Sequence, residues 1–236
     1  MVSAFYDCHN LLKIIIPRSV IDLGGSDFGH CCRLESIVIP NNVKSIGKKD
    51  EGDGAFYRCG KLKSVIFEDS SEKVTIAPGT FMGTAIDTLY IGRNIDRTIS
   101  WSSDGTFRST LRSVAIGQNV TFVGNTVFAN CYDIQSVYSF NPTPPEIEEN
   151  TFDNHNYQNA TLYIPQGSKT LYWLHPYWEK FFNMADSLPT NIEHINNDNW
   201  SSKNGGSIYN LNGIKVDGSS FGKGIYIKNG KKVIIK

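Results

Sequence analysis

Five cysteines and five histidines are the residues of this chain best equipped for chemistry. Cys8, Cys31, Cys59 and Cys131 each follow a phenylalanine by three residues, and Cys32 stands apart. Recurrent thiols raise two readings, a disulfide framework or a metal site. His30-Cys31-Cys32 lacks the spaced cysteine pairs of a structural zinc site, so no metal is expected. One repeated position, filled four times, is better explained by a small side chain packed in a ladder, a role that suits the free thiol. Stacking would bring Cys8 and Cys31 close, but a ladder need not align their Cβ vectors for a disulfide. Alternation would turn Cys32 away from Cys31.

His9, His30, His155, His175 and His194 have no Ser, Cys or carboxylate at a recognisable catalytic spacing. Asp50-Glu51-Gly52-Asp53 lacks the spacing of a calcium loop and reads as a solvated turn. Glu146, Glu148 and Glu149 follow a proline-rich turn and read as a solvated edge rather than an acid–base pair. No glycine-rich phosphate loop is present. The expectation is a protein that is not an enzyme and needs no cofactor.

The elements that carry these residues recur. Phe5-x-x-Cys8-x-x-Leu11-x-x-Ile14-x-Ile16-Pro17 returns from Phe28 through Cys31, Leu34, Ile37 and Ile39 to Pro40. It returns again from Phe56 to Phe67. Phe5, Phe28, Phe56, Phe81, Phe107, Phe128 and Phe152 mark about seven coils at intervals of 21 to 28 residues. A unit this short cannot bury its apolar face alone and stacks on its neighbours as a solenoid. Leu-x-x-Ile-x-Ile alternates as a half-buried strand, Leu and Ile inward and the residues between them outward. Pro17, Pro40 and Pro165, or Gly92 and Gly117, end it. A second apolar set (Val20 and Leu23, Val43 and Ile46, Val120 and Val123) closes at Gly24, Gly47 and Gly124, each free to take positive φ. Segments such as Ala55-Phe56 and Val127-Phe128 are expected to form at most one helical turn. Thr84 and Thr110 replace Cys in coils four and five. Inserts at Lys48–Gly54 and Arg97–Asp104 should protrude as loops.

The motif Phe-x-x-Cys-x-x-Leu-x-x-Ile-x-Ile-Pro-x-x-Val-x-x-Ile-Gly resembles the BspA-like leucine-rich repeat of bacterial surface proteins. The resemblance implies a leucine-rich-repeat solenoid, mainly β, a right-handed β/α-type superhelix with few short helices. It spans residues 1–182. Residues 160–182 are similar to that family's capping repeat, with Tyr163, Tyr172, Trp173, Tyr177, Trp178, Phe181 and Phe182 covering the apolar end. Residues 183–206, rich in Asn, Ser, Asp and Gly, read as a linker. Residues 207–236 read as a small C-terminal β tail, with a hairpin turn signalled at Asn229-Gly230. The tail resembles the C-terminal tails of exported Bacteroidetes proteins, some of which direct type IX secretion; a plain accessory hairpin is the alternative.

Formal charge is zero and the pI is about 6.9, which leaves no basic field for nucleic acid or anionic lipid. No apolar run reaches the roughly 20 residues of a membrane helix. No signal-peptide pattern opens the sequence, which enters a repeat at Phe5, so a leader and an N-terminal cap are expected upstream. A solenoid offers a long surface for binding. The face expected to bind is the outward strand positions Lys13, Glu35, Ser36, Lys63, Ser64, Arg112, Ser113, Gln135 and Ser136. Trp101, on a polar insert, is the candidate aromatic anchor. The resemblance implies a protein exported to the cell surface or medium, adhering to host matrix, host cell-surface proteins or other cells. A structural spacer and a glycan-binding module are the alternatives.

Overall fold

In a computed structural model, the structure describes residues 3–47, 54–97, 107 and 110–188, and as backbone strands 208–210, 224–228 and 231–235. Two compact units result, Met1–Leu188 and Pro189–Lys236. In the first, the strands in chain order are β1 (Asp22–Leu23), β2 (Ser36–Ile39), β3 (Ser45–Ile46), β4 (Ser64–Phe67), β5 (Val74–Ile76), β6 (Thr88–Ile91) and β7 (Ile95–Arg97). They continue with β8 (Ser113–Ile116), β9 (Phe122–Val123), β10 (Ser136–Ser139), β11 (Glu146–Ile147), β12 (Thr161–Tyr163) and β13 (Asn183–Ala185). From β1 to β12 they alternate between two parallel sheets, as a coil that crosses from one side to the other must do, and β13 joins the same sheet as β12. The main sheet runs β13-β12-β10-β8-β6-β4-β2 and the second runs β1-β3-β5-β7-β9-β11.

The inward alternation expected of Leu-x-x-Ile-x-Ile is present. In the main sheet Ile37, Val65, Leu89, Val114, Val137 and Leu162 lie in one register row, and all are buried. Between the sheets the phenylalanines form a spine. Phe5, Phe28, Phe56 and Phe81 stack almost parallel, with centroids 5.4, 5.2 and 5.3 Å apart. Phe107, Phe128 and Phe152 continue it at 5.0, 6.2 and 4.8 Å.

The phenylalanine turns are not helical. Residues two before and two after the Phe repeatedly hold the left-handed conformation: Ser26 and His30, Thr126 and Asn130, Gly79 and Gly83. This geometry lets the turn's N–H groups reach the next coil, as Phe28 N–H does to the Ala55 carbonyl (2.8 Å) and His30 N–H to the Tyr57 carbonyl (2.8 Å). The turns thus pair from coil to coil, which satisfies buried backbone without a helix. Of the three glycines expected at positive φ, only Gly47 takes it (+72°). Gly54 serves close approach instead: a Cβ there would meet the Gly79 carbonyl oxygen at 2.0 Å.

Two stretches depart from expectation. Residues 11–16, anticipated as a first rung, form no strand; Ile16 is buried while Leu11 and Ile14 only rest against the core. Among the described residues this segment has a neighbouring coil on one side only. Conversely, Asn183–Ala185, placed in the linker by composition, adds β13 to the main sheet beside β12. Its backbone ladder holds it there, with Met184 packed against the core.

The C-terminal end is closed by helix α1 (Asn154–Asn159), helix α2 (Lys169–Leu174) and a 3-10 turn (Trp178–Lys180). Tyr172, Trp178 and Phe181 are buried and close the spine against Phe152. Trp178 Nε1 donates to the Pro145 carbonyl (2.7 Å), and the Tyr172 hydroxyl lies 2.8 Å from the Asn141 carbonyl oxygen. Trp173 and Phe182, counted with this cap from the sequence, are instead exposed.

In the second unit, β14 (Ile208–Asn210), β15 (Gly224–Lys228) and β16 (Lys231–Ile235) form an antiparallel sheet in the order β14-β15-β16. β15 and β16 pair down to Lys228 and Lys231, which brackets the Asn229-Gly230 step.

Candidate interaction face

The three buried cysteines are unsuited to chemistry. Cys31, Cys59 and Cys131 are buried and free, and each Sγ donates to the carbonyl of a phenylalanine on the preceding coil: Phe5 (3.2 Å), Phe28 (3.0 Å) and Phe107 (2.9 Å). Burial pushes the thiol of Cys31 up to about 11 and those of Cys59 and Cys131 to about 12. A thiol held protonated is neither a nucleophile nor a metal ligand. Thr84, which replaces Cys in coil four, donates its hydroxyl to the Phe81 carbonyl instead (2.7 Å).

One constellation has the outline of a catalytic triad: Cys32 Sγ lies 3.9 Å from His9 Nδ1, and His9 Nε2 lies 3.9 Å from Asp7 Oδ1. Its proton inventory is wrong. His9 Nδ1 is 3.1 Å from the His30 carbonyl, which requires a proton on the nitrogen that would have to take one from Cys32. Among the described residues no group of three or more His, Cys, Asp or Glu could hold a metal ion. His175 pairs with Glu146 (3.3 Å). His194 and Asp50–Asp53 lie outside the described residues.

The outer face of the main sheet is ordered by register. Ser36, Ser64, Thr88, Ser113, Ser136 and Thr161 form a row of small hydroxyls, one on each strand from β2 to β12 of this sheet, and Asn183 ends the row on β13. The residues before them, Glu35, Lys63, Asp87, Arg112 and Gln135, form a row that alternates in charge. Carbonyls of this second row are each met by N–H groups of the next coil, as Glu35 is by Lys63 (2.9 Å) and Arg112 by Gln135 (2.9 Å), which fixes their spacing. A third row, two residues past the hydroxyls, holds Val38, Ile66, Tyr90, Ala115, Tyr138 and Tyr163. Ile66 is outward in register yet buried.

Glu35, Ser36, Lys63, Arg112 and Gln135 are exposed and Ser64, Ser113 and Ser136 partly so, all on this one face. Lys13 is exposed in the segment that forms no strand. Trp101 lies outside the described residues, as do Lys48–Asp53 and residues 98–104 of the two inserts. Tyr163, counted with the aromatic cap from the sequence, lies instead on this face beside Tyr138, an adjacency that only the register reveals, although the x of Ile-x-Ile marked both as outward.

Beneath the sheet's end, Arg93 is fully buried. Its guanidinium donates to the carbonyls of Pro40 (2.8 Å), Asn41 (3.0 Å) and Val43 (2.7 Å). Burial lowers it to about 10, and nearby Glu68 opposes that shift. Glu68, itself buried, pairs with Arg18 (3.2 Å) and accepts from Asn41 N–H (3.1 Å). This network ties four coils together at the strand exits.

Compared with known proteins, the sequence matches the family described as the BspA type leucine-rich repeat region, over residues 2–102, 51–159 and 103–212. No curated protein matches it. A leucine-rich cell surface protein from Faecalibacterium prausnitzii A2-165, known from a crystal structure, is 19% identical. That similarity covers 80% of this chain and 69% of the other, with a TM-score of 0.33.

Proposed function

The chain belongs to the BspA type leucine-rich repeat family, and from that premise we propose that it is a non-enzymatic interaction protein of the cell surface or extracellular medium. Its partner is a host matrix or cell-surface protein, or a protein on another cell. The observation that carries the reading is the outer face of the main sheet. Seven parallel strands present side chains of known register, and Arg112, Ser113, Gln135 and Ser136 make no side-chain hydrogen bond among the described residues. Polar groups held in place without internal partners are free to bond a ligand.

The experiment is a binding screen of the full chain against matrix proteins and intact cells. Saturable binding is expected, weakened about tenfold in a Lys63→Ala/Arg112→Ala variant, the scale of a lost contact at an interface. Absence of binding at high concentration would favour a spacer and sink the adhesion reading. By a separate resemblance, to the C-terminal tails of exported Bacteroidetes proteins, residues 207–236 read as an export element, with a plain accessory hairpin as the alternative. Their deletion should then retain the protein inside the producing cell, and unimpaired export would leave them an accessory hairpin. No helix among the described residues is long and apolar enough to cross a membrane.

A further inference from the structure

Tyr138 and Tyr163, on adjacent strands β10 and β12, stack with centroids 4.9 Å apart and planes 13° from parallel. On the other side of Tyr138 the register partner is Ala115 of β8, so the stack has no next ring. One strand further, Tyr90 would supply a ring, but its hydroxyl reaches across to the exit of β8, beside Gly117 and two residues past Ala115. Its hydroxyl donates to Asp69 Oδ1 (2.8 Å) and lies 2.9 Å from where a Cβ on Gly117 would be. The free face of Tyr138 therefore looks across a methyl group, in a gap one strand spacing wide, about 4.8 Å.

The surroundings identify the occupant. Ser113 and Ser136 lie two residues away on the same face, about 7 Å along the strands. Arg112 and Gln135 precede them, and all four have spare hydrogen-bonding capacity. An aromatic side chain inserted here would desolvate those groups and leave them unpaired, which is costly. A sugar ring would not: its C–H face packs on the tyrosine and its hydroxyls bond the polar rim. The charges alternate in sign from strand to strand along Glu35, Lys63, Asp87 and Arg112, so their fields cancel a short distance away. That arrangement favours an uncharged ligand.

We propose that the free face of Tyr138 above Ala115, between Tyr90 and the Ser113–Ser136 pair, binds a neutral pyranose ring of a glycan carried by the partner. The proposal rests on the reading of the main sheet as the binding face and names the chemistry of what it takes.

The test uses the full chain on an array of immobilised neutral and anionic oligosaccharides, with thermal midpoints recorded for every variant. Binding to neutral glycans is expected. Tyr138→Ala should lose roughly tenfold, the scale of one aromatic contact, and Tyr138→Phe should retain it. Ala115→Leu should block the gap with Tyr138 intact. Absence of neutral-glycan binding overturns the proposal, as does binding indifferent to Tyr138→Ala and Ala115→Leu, or binding confined to anionic glycans. Partner glycoproteins, assayed before and after enzymatic deglycosylation, separate this proposal from the reading beneath it. Binding that survives deglycosylation but falls with Lys63→Ala/Arg112→Ala removes the sugar and leaves the face; binding indifferent to every variant removes both.

Discussion

The thiol of Cys59 donates a 3.0 Å hydrogen bond to the carbonyl oxygen of Phe28, one coil away. The same carbonyl accepts the backbone N–H of Cys31 (3.2 Å). One oxygen is thus shared between the turn of its own coil and the thiol of the next, so the cysteine both fills space and bonds coil to coil.

This has a pH signature. Cys59 and Cys131 are raised from an ordinary value of 9.0 to about 12, chiefly by burial. Between those values the unfolded chain gives up thiol protons that the folded chain keeps, so unfolding is favoured as pH rises. Stability should be intact below about pH 9 and fall through pH 12. Denaturant melts across this range should show a shallower alkaline loss for Cys59→Thr/Cys131→Thr, since Thr84 fills the equivalent position without titrating there. An unchanged slope would show that these thiols are not the linked groups. In the native state only the exposed Cys8 and Cys32 should react readily with a thiol reagent, and all five cysteines should do so after denaturation.

Phe56 is fully buried between Phe28 and Phe81. Phe56→Ala should cost about 3–5 kcal/mol, the transfer term plus the cavity. Because the ring contacts the coils on either side, amide exchange should quicken in both. Protection lost from a single loop alone would contradict the stacked spine.

Thr126 holds φ at 55°, a left-handed conformation ill suited to a β-branched residue. Thr126→Gly should stabilise the protein by about 1 kcal/mol, since left-handed backbone costs a non-glycine residue about that much. Gly83→Ala should act in the opposite sense: its φ is +77° and a Cβ would crowd Arg58 at 3.2 Å. Thermal midpoints of the two variants give the comparison, and shifts of the same sign would refute the strain argument.

Arg93→Ala should destabilise by about 3–5 kcal/mol, as removal of one member of a buried charge network does. It leaves the Asn41 and Val43 carbonyls without donors, Pro40 with the Val43 N–H alone, and Glu68 with Arg18 as its remaining cationic partner. Arg93→Lys should recover only part of this, because one ammonium cannot reproduce the guanidinium fork. Full recovery by lysine, read from urea unfolding, would show that charge alone matters.

Much of this was legible in the chain. The phenylalanine interval announced coils, and the period-two alternation of Leu-x-x-Ile-x-Ile sorted inward from outward residues before any coordinates. Cys31 and Cys59 could be read as packing residues because their position repeats. Other features carried no sequence signal. Ser26, His30, Thr126 and Asn130 share a left-handed backbone but no common side chain, since the turn geometry is imposed by pairing with the next coil. Asn183–Ala185 resembled a linker because its ladder to β12 is a backbone property and Met184 alone packs on the core. Arg93 gave no hint that it would be buried, because its acceptors lie some fifty residues earlier.

By itself the sequence determined the coil: its phenylalanine spine, its buried thiols, its strand and which residues of that strand face out. These are local properties, written in a frame that repeats. The tertiary structure alone decided which outward residues become neighbours. Coil lengths vary from 21 to 28 residues, so no fixed offset links one coil to the next, and the register is set by backbone ladders and by how much chain each loop consumes. That register aligns Glu35 with Lys63 and Asp87 with Arg112, stacks Tyr138 on Tyr163, and leaves Ala115 as the missing rung beside them.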